Sequence, residues 1–150
     1  RIIPENPTAY PEALAAIADA DWITMGPGSW FSSVIPHLLV PAQRDAIVAS
    51  KAKKILLLNL DIADKSAGEY AGYSPLEHLR ILSEYAPELH FDCVALDSSA
   101  DGREELRAHL STIGSELVVA DLRSAGSPLH HYVKKLGQLF SHIDSQILVG

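Results

Sequence analysis

Apolar residues fall into two kinds of segment along this chain. Short, near-continuous runs (Trp22–Met25, Lys54–Leu60, Phe91–Leu96 and Leu117–Ala120) alternate with longer stretches whose apolar positions recur every three or four residues. The runs predict strands buried on both faces, and the periodic stretches predict amphipathic helices. Pro11 opens the first helix, with Ala13, Leu14, Ala16, Ile17 and Ala18 spaced along it as far as Ala20. A second helix over Trp30–Leu39 carries Pro36, where a break or kink is expected. Further helices are predicted over Ala42–Lys51 with Ala46 and Ile47 inward, from Pro75 behind a Ser74 N-cap to about Ala86, over Gly102–Ile113 and over Leu129–Phe140. Arg1–Pro4 is compatible with the end of a strand, and Ile147–Val149 with a last short one. Strands alternating with helices predict a single α/β domain over residues 1–150, built on a mostly parallel sheet covered on both faces. Ligands of such sheets gather at the carboxyl ends of the strands.

The stretch Asp21–Pro36 occupies such an end. The strand Trp22–Met25 stops at Gly26-Pro27-Gly28-Ser29. Pro27 fixes its own φ and biases Gly26 away from the helical region, while Gly28 is free to take positive φ and to let a ligand approach the backbone. Ser29 is a good N-cap for a helix starting at Trp30. Strand, glycine turn and helix start together present N–H groups to one point, which suits a phosphate or a carboxylate. Ser29, Ser32 and Ser33 lie at i, i+3 and i+4 and add hydroxyls at the same end. The same four turn residues are also ordinary turn chemistry, and many strand-to-helix turns bind nothing. The turn lacks the lysine of a P-loop and the third glycine of a dinucleotide fingerprint.

Asn59 ends the second strand at the same edge, where its amide can read a base, a ribose or a phosphate, or equally tie down the loop that follows. That loop, Asp61–Tyr73, holds Asp61, Asp64, Lys65, Glu69, Tyr70 and Tyr73 and is longer than a connector needs. Glu69 and Tyr73 are placed to put a carboxylate and a ring over a ligand; a solvated loop is the competing reading. His78, one turn into the next helix, is within reach of the same place. The remaining histidines, His130 and His131 at a helix start among them, form no metal-ligand spacing, so no metal is expected. No Ser/His/Asp set and no paired carboxylates argue for a catalytic residue.

Composition narrows the partners. Twelve basic against nineteen acidic residues give a formal charge of -7, with no basic run longer than two, which disfavours nucleic acid and anionic membranes. No apolar run reaches the length of a membrane span. The single cysteine, Cys93, excludes a disulfide framework, points to a reducing compartment and reads as a small core residue. The chain opens at Arg1 rather than Met, as a piece of a longer protein would.

Taken together the segments resemble a known family. Ala20-Asp21 through Gly26-Pro27-Gly28-Ser29-Trp30-Phe31-Ser32-Ser33 to Pro36-His37-Leu38-Leu39-Val40 looks like the long A-D-x-I-x-x-G-P-G-S signature of the YvcK-like gluconeogenesis factors, which share a superfamily with the CofD-like 2-phospho-L-lactate transferases. Asn59-Leu60, Gly68-Glu69 with Gly72-Tyr73, His78, Ala120-Asp121-Leu122 and His131 with Lys135-Leu136 match supporting segments in order. The likeness covers most of this chain but only the C-terminal half of a typical member. It implies a three-layer α/β/α Rossmann-like fold forming part of a larger domain.

It further implies a cytoplasmic regulatory protein that binds a nucleotide sugar of the UDP-N-acetylglucosamine type, or a dinucleotide, and links gluconeogenic carbon status to cell-wall synthesis and cell shape. No reaction or cofactor is established for that branch. The ligand-binding set is then Gly26, Gly28, Ser29, Trp30, Ser32, Ser33, Asn59, Glu69, Tyr73 and His78. A homo-oligomer and a cell-wall synthesis protein are the partners this admits. The alternative is a phospholactate-type transferase of deazaflavin cofactor biosynthesis; its turn usually reads Pro-Ser-Asn-Pro, unlike the one here. A third reading treats the chain as a scaffold for a partner protein. Departures from the family pattern cluster around the presumed ligand: Trp30-Phe31-Ser32 for Leu-Tyr-Thr, His37 for Asn, Asp61-Ile62 for Met-Thr, Tyr70 for Thr, and Tyr132 for the Asp after His131.

Overall fold

A computed structural model describes residues 3–60 and 72–146. Helix α1 (Pro11–Ala18) precedes strand β1 (Trp22–Met25). A wide helical turn over Trp30–Val34 runs into α2 (Ile35–Leu38), followed by α3 (Pro41–Ala49) and β2 (Lys53–Leu57). Then come α4 (Pro75–Tyr85), β3 (Cys93–Asp97), α5 (Arg103–Thr112) and β4 (Glu116–Ala120). A hairpin of β5 (Arg123–Ser124) and β6 (Ser127–His131) leads into α6 (Val133–Gln146).

Strands β1 to β4 form one sheet in sequence order, and every pairing is parallel. Side chains alternate between the two faces. Met25, Leu56, Val94, Leu96 and Leu117 meet the connecting helices through Val34, Leu38, Leu79, Leu82, Leu106 and Leu110. On the other face Ile55, Leu57, Cys93, Ala95 and Val118 meet α6 through Leu139 and Ile143. Burying side chains of that size stabilises by about 1.5–3 kcal/mol each, so α6 is what keeps the second face dry. The result is the α/β/α arrangement expected from the sequence. Cys93 is fully buried, and burial pushes its thiol up to about 12, with Glu116 and Asp92 adding to the rise. It is a core residue, not a nucleophile.

Several sequence-based boundaries change. The helix expected over Leu129–Phe140 is replaced by the β5–β6 hairpin and a later helix, and His130 and His131 lie on a strand. Leu129, Val133, Leu136 and Phe140 mimic a helical period, but Ser124-Ala125-Gly126-Ser127 forms a turn first, and Pro128 sits in a two-stranded hairpin where an outer edge tolerates a missing N–H. The first helix ends at Ala18 and not Ala20, with Asp19 as its C-cap. Residues 3–6 form bends and no strand; Ile147–Val149 lies outside the described residues.

The break expected at Pro36 falls earlier in the chain. Pro36 sits in the first turn of α2, and the helix before it is widened instead. The N–H groups of Val34 and Ile35 bond five residues back, to Ser29 O (3.2 Å) and Trp30 O. A proline at 36 has no N–H for the carbonyl of Ser32, and a π-type turn is a known way of absorbing such an interruption.

Candidate functional site

Carboxyl ends of all four parallel strands open onto one edge, and the turn after β1 sits there. Gly26, not Gly28, takes the left-handed conformation, with φ 76°. It also packs against β2: a Cβ at Gly26 would lie 2.3 Å from the carbonyl oxygen of Leu57. At Gly28 a Cβ would come within 2.8 Å of the Ser33 Cβ. Both glycines are therefore required by close approach.

Asn59 fixes this turn from the neighbouring strand. The Gly28 N–H donates to Asn59 Oδ1 at 2.8 Å, and Asn59 Nδ2 donates to the Gly28 carbonyl at 2.8 Å. A side-chain amide used in this paired fashion imitates one rung of a strand ladder. The sequence offered Asn59 as a ligand reader or as a tie for the loop after it; it ties the turn before it in space. The Gly28 N–H is consequently engaged within the protein.

The helix start supplies hydroxyls. Ser29 is the N-cap, and its Oγ accepts from the Ser32 N–H (3.3 Å) and from the Ser32 hydroxyl (2.7 Å). Both lone pairs of the Ser29 hydroxyl are engaged by these two bonds. Ser32 and Ser33 are exposed beside it. Trp30 turns inward and is only 3% exposed; among the described residues its Nε1 has no hydrogen-bond partner.

An aromatic group adjoins the serines. Trp30 lies 5.5 Å from the His78 ring, and Tyr73 meets His78 edge-on at 6.3 Å. Ser74 and Glu77 close a capping box at the start of α4, which fixes the turn that carries His78. His78 is buried, and its Nδ1 lies 2.9 Å from the Ser74 carbonyl. A carbonyl only accepts, so the Nδ1 atom carries the proton. Tyr73 is half exposed. Of the sequence-predicted set, Gly26, Gly28, Ser29, Ser32, Ser33 and Asn59 thus form one group, and Trp30, Tyr73 and His78 a second that joins it at Trp30. Glu69 lies outside the described residues, as does the loop from Asp61 to Ala71.

A third cluster joins Asp121, Leu122 and Lys135, which entered the sequence reading only as segments of the family likeness, to Asp97, Ser99 and Arg123, which it did not name. Asp97 at the end of β3 is 2% exposed and accepts from the Ser99 N–H (3.0 Å) and hydroxyl, the Leu122 N–H (2.8 Å) and Arg123 Nε (3.0 Å). Burial alone would push its carboxyl up, but the bonds from Ser99, Leu122 and Arg123 outweigh it and hold the group at about 2. Arg123 also donates to Ser99 Oγ (2.9 Å) and to the Leu60 carbonyl (2.7 Å). Lys135 bonds Asp121 (2.6 Å) and the Arg123 carbonyl (2.8 Å). The one available signal was Asp97, a carboxylate directly after an apolar run at a strand's carboxyl end.

His131 borders this cluster with a buried Nε2 that has no partner among the described residues. Burial pushes its imidazole below the ordinary 6.5, Arg123 adding to the fall and Asp97 opposing it. The unfolded chain therefore binds this proton more readily than the folded one. The contribution of His131 is full above pH 6.5 and is lost as pH drops below it. Between pH 7.5 and 5.5 the urea midpoint is expected to fall less in His131→Gln than in the wild type; equal slopes would rule the effect out.

Among the described residues no group of three or more His, Cys, Asp or Glu side chains could hold a metal, and no helix is long and apolar enough to cross a membrane. A cavity of about 200 Å³ lies behind the turn, lined by Ile23, Met25, Gly26, Ser33, His37 and Gln43 among others. It is smaller than the roughly 300–1,000 Å³ of ordinary ligand sites. A nucleotide-sized ligand would have to lie across the open face of the turn.

Comparison with known proteins agrees with this architecture. Residues 1–135 match the family profile described as 2-phospho-L-lactate transferase CofD. A putative gluconeogenesis factor of Mycobacterium tuberculosis (strain H37Rv) is 40% identical over 134 residues, which cover 87% of this chain and 38% of that protein. The gluconeogenesis factor of Listeria monocytogenes is 33% identical over 105 residues, covering 70% of this chain and 32% of that one. A solved structure of a UPF0052 family member from Bacillus halodurans superposes with a TM-score of 0.70 at 22% identity, over 93% of this chain and 48% of that one. The last likeness concerns the fold alone. The chain spans well under half the length of the curated relatives it matches.

Proposed function

The chain belongs to the CofD family, with gluconeogenesis factors among its curated relatives, and from that premise we propose that the turn after β1 binds the diphosphate of a nucleotide sugar of the UDP-N-acetylglucosamine type. The protein of which it forms part would act in the cytoplasm as a regulator, linking gluconeogenic carbon status to cell-wall synthesis and cell shape without turning its ligand over. One observation carries the reading: Asn59 locks a glycine turn at the carboxyl edge of the sheet, so that the hydroxyls of Ser29, Ser32 and Ser33 are held at one helix start. Hydroxyl groups gathered at one helix start, which can turn towards a bound group, suit an anion in a chain whose net charge is -7 and whose turn holds no cation. Tyr73 beside this set offers a face for the sugar or the base.

A transferase reading competes, favoured by the description of the family profile as a 2-phospho-L-lactate transferase. Calorimetric titration of the full-length protein with UDP-N-acetylglucosamine, UDP, GDP and NAD separates the two. Selective binding of the UDP-sugar is expected, weakened about ten- to a hundredfold in Ser29→Ala, the range for losing a hydrogen bond to a charged group. Binding of GDP that strengthens with magnesium, without UDP-sugar binding, would overturn the regulatory reading in favour of the transferase.

A further inference from the structure

Three consecutive residues after β2 are tied to three different neighbours. Leu58 donates its N–H to Ala95 O on β3 at 3.0 Å, Asn59 clamps Gly28 beyond β1, and the Leu60 carbonyl accepts from Arg123 Nη2 beyond β4. Arg123 is itself held, through Nε, by Asp97 at the end of β3 and by Ser99. Lys135 fixes the backbone of Arg123 through its carbonyl. A path of hydrogen bonds, joined by the backbone between Leu60 and Asn59, therefore crosses the carboxyl edge of the sheet from Asp97 through Arg123 to Gly28.

We propose that Arg123 is a positioning residue for the Gly26–Ser29 turn, acting through the Leu60 carbonyl on Asn59. The neighbouring geometry makes this more than local packing. Leu60 is 3% exposed and its side chain is anchored in the face that α6 covers, so its carbonyl direction is set by the bond it makes. Asn59 precedes it in the chain; holding both the Leu60 side chain and the Leu60 carbonyl fixes the backbone dihedrals of Leu60, and through them the Asn59–Leu60 peptide from which the Asn59 side chain departs. A guanidinium reaches a carboxylate and a carbonyl at once with its rigid fork; an ammonium cannot hold both in the same geometry. The consequence for ligand binding rests on the reading of the turn given above, whereas the effect on the turn itself does not.

Amide hydrogen exchange of the full-length protein, resolved at Gly28, tests this directly. Asn59→Ala sets the scale by removing the acceptor of the Gly28 N–H. Arg123→Lys, which keeps a cation near Asp97, is expected to raise Gly28 exchange about tenfold or more while the core strand amides of Leu56 and Val94 keep their protection. Ser99→Ala, which removes one brace from Arg123 with little change in packing, is expected to give a smaller rise in the same direction. It decides the matter if Arg123→Lys loosens the whole fold. UDP-N-acetylglucosamine affinity should fall in the order of the exchange rates. Gly28 protection unchanged in Arg123→Lys and Ser99→Ala, or unchanged in Asn59→Ala, would overturn the proposal. Loss of Gly28 protection in a protein that binds no UDP-sugar would uphold the positioning role and sink the ligand.

Discussion

Gly26→Ala is expected to cost the fold about 3 kcal/mol or more, measured as the loss of unfolding free energy in urea. Two effects combine. At φ 76° an alanine carries the usual left-handed penalty, on the order of 1–2 kcal/mol. Its Cβ would also stand 2.3 Å from the Leu57 carbonyl oxygen. That oxygen belongs to the backbone at the end of β2, beside the Leu58 link to β3, so it has no rotamer through which to retreat. Gly72 provides the control. It shares the positive φ, at 89°, but a Cβ there meets nothing within 4 Å among the described residues. Gly72→Ala should therefore show the conformational penalty alone, on the order of 1–2 kcal/mol. If the two variants fall within about 0.5 kcal/mol of each other, the close contact with Leu57 is not a determinant of stability.

The pair also shows what a sequence can and cannot announce. Gly26-Pro27-Gly28-Ser29 after an apolar run was enough to place a turn, a helix cap and a site edge. Which glycine would adopt the left-handed conformation was not, because that depends on Leu57, thirty-one residues away from Gly26. Strands were legible because both faces of a parallel sheet are buried, and continuous apolar runs leave little else to read. The hairpin was not, because Leu129, Val133, Leu136 and Phe140 imitate a helical period across a turn. Asn59 was recognised as a site-edge residue, yet its partner, Gly28, could only be found once β1 and β2 were side by side. Asp97 carried no sequence signal beyond its position, because the apolar run Phe91–Leu96 ends just before it.

The proposed ligand site and the structural hydrogen bonds thus share one edge. The serines face outward from a turn whose shape is fixed by a neutral amide. Of the charged groups, Asp97 bonds Arg123, and Arg123 bonds the Leu60 carbonyl and not the turn itself, which is held by the Asn59 side chain. If the turn binds an anion as proposed, such a division would keep the Asp97 carboxylate away from the donors that the anion needs.

Asp97→Ala is the second large effect, expected to destabilise by about 3–5 kcal/mol, the range for breaking a buried ion pair by removing one partner. The substitution takes the carboxylate from Arg123, whose side chain is only 22% exposed, and strips the Leu122 and Ser99 N–H groups of their acceptor. Asp97→Asn retains an acceptor without the charge and should lose about half as much. Acid titration separates charge from hydrogen bonding. The Asp97 carboxyl is held at about 2 against an ordinary 3.8, so its ionised form stabilises the fold by roughly 2 kcal/mol. Because the folded value is the lower one, that contribution is complete above pH 3.8 and disappears as pH falls towards 2. The advantage of wild type over Asp97→Asn should accordingly stay constant from pH 7 to about 5 and shrink below pH 4. An advantage that persists undiminished at pH 2, or an Asp97→Ala loss under about 1 kcal/mol, would mean that the carboxylate does not hold the strand ends together.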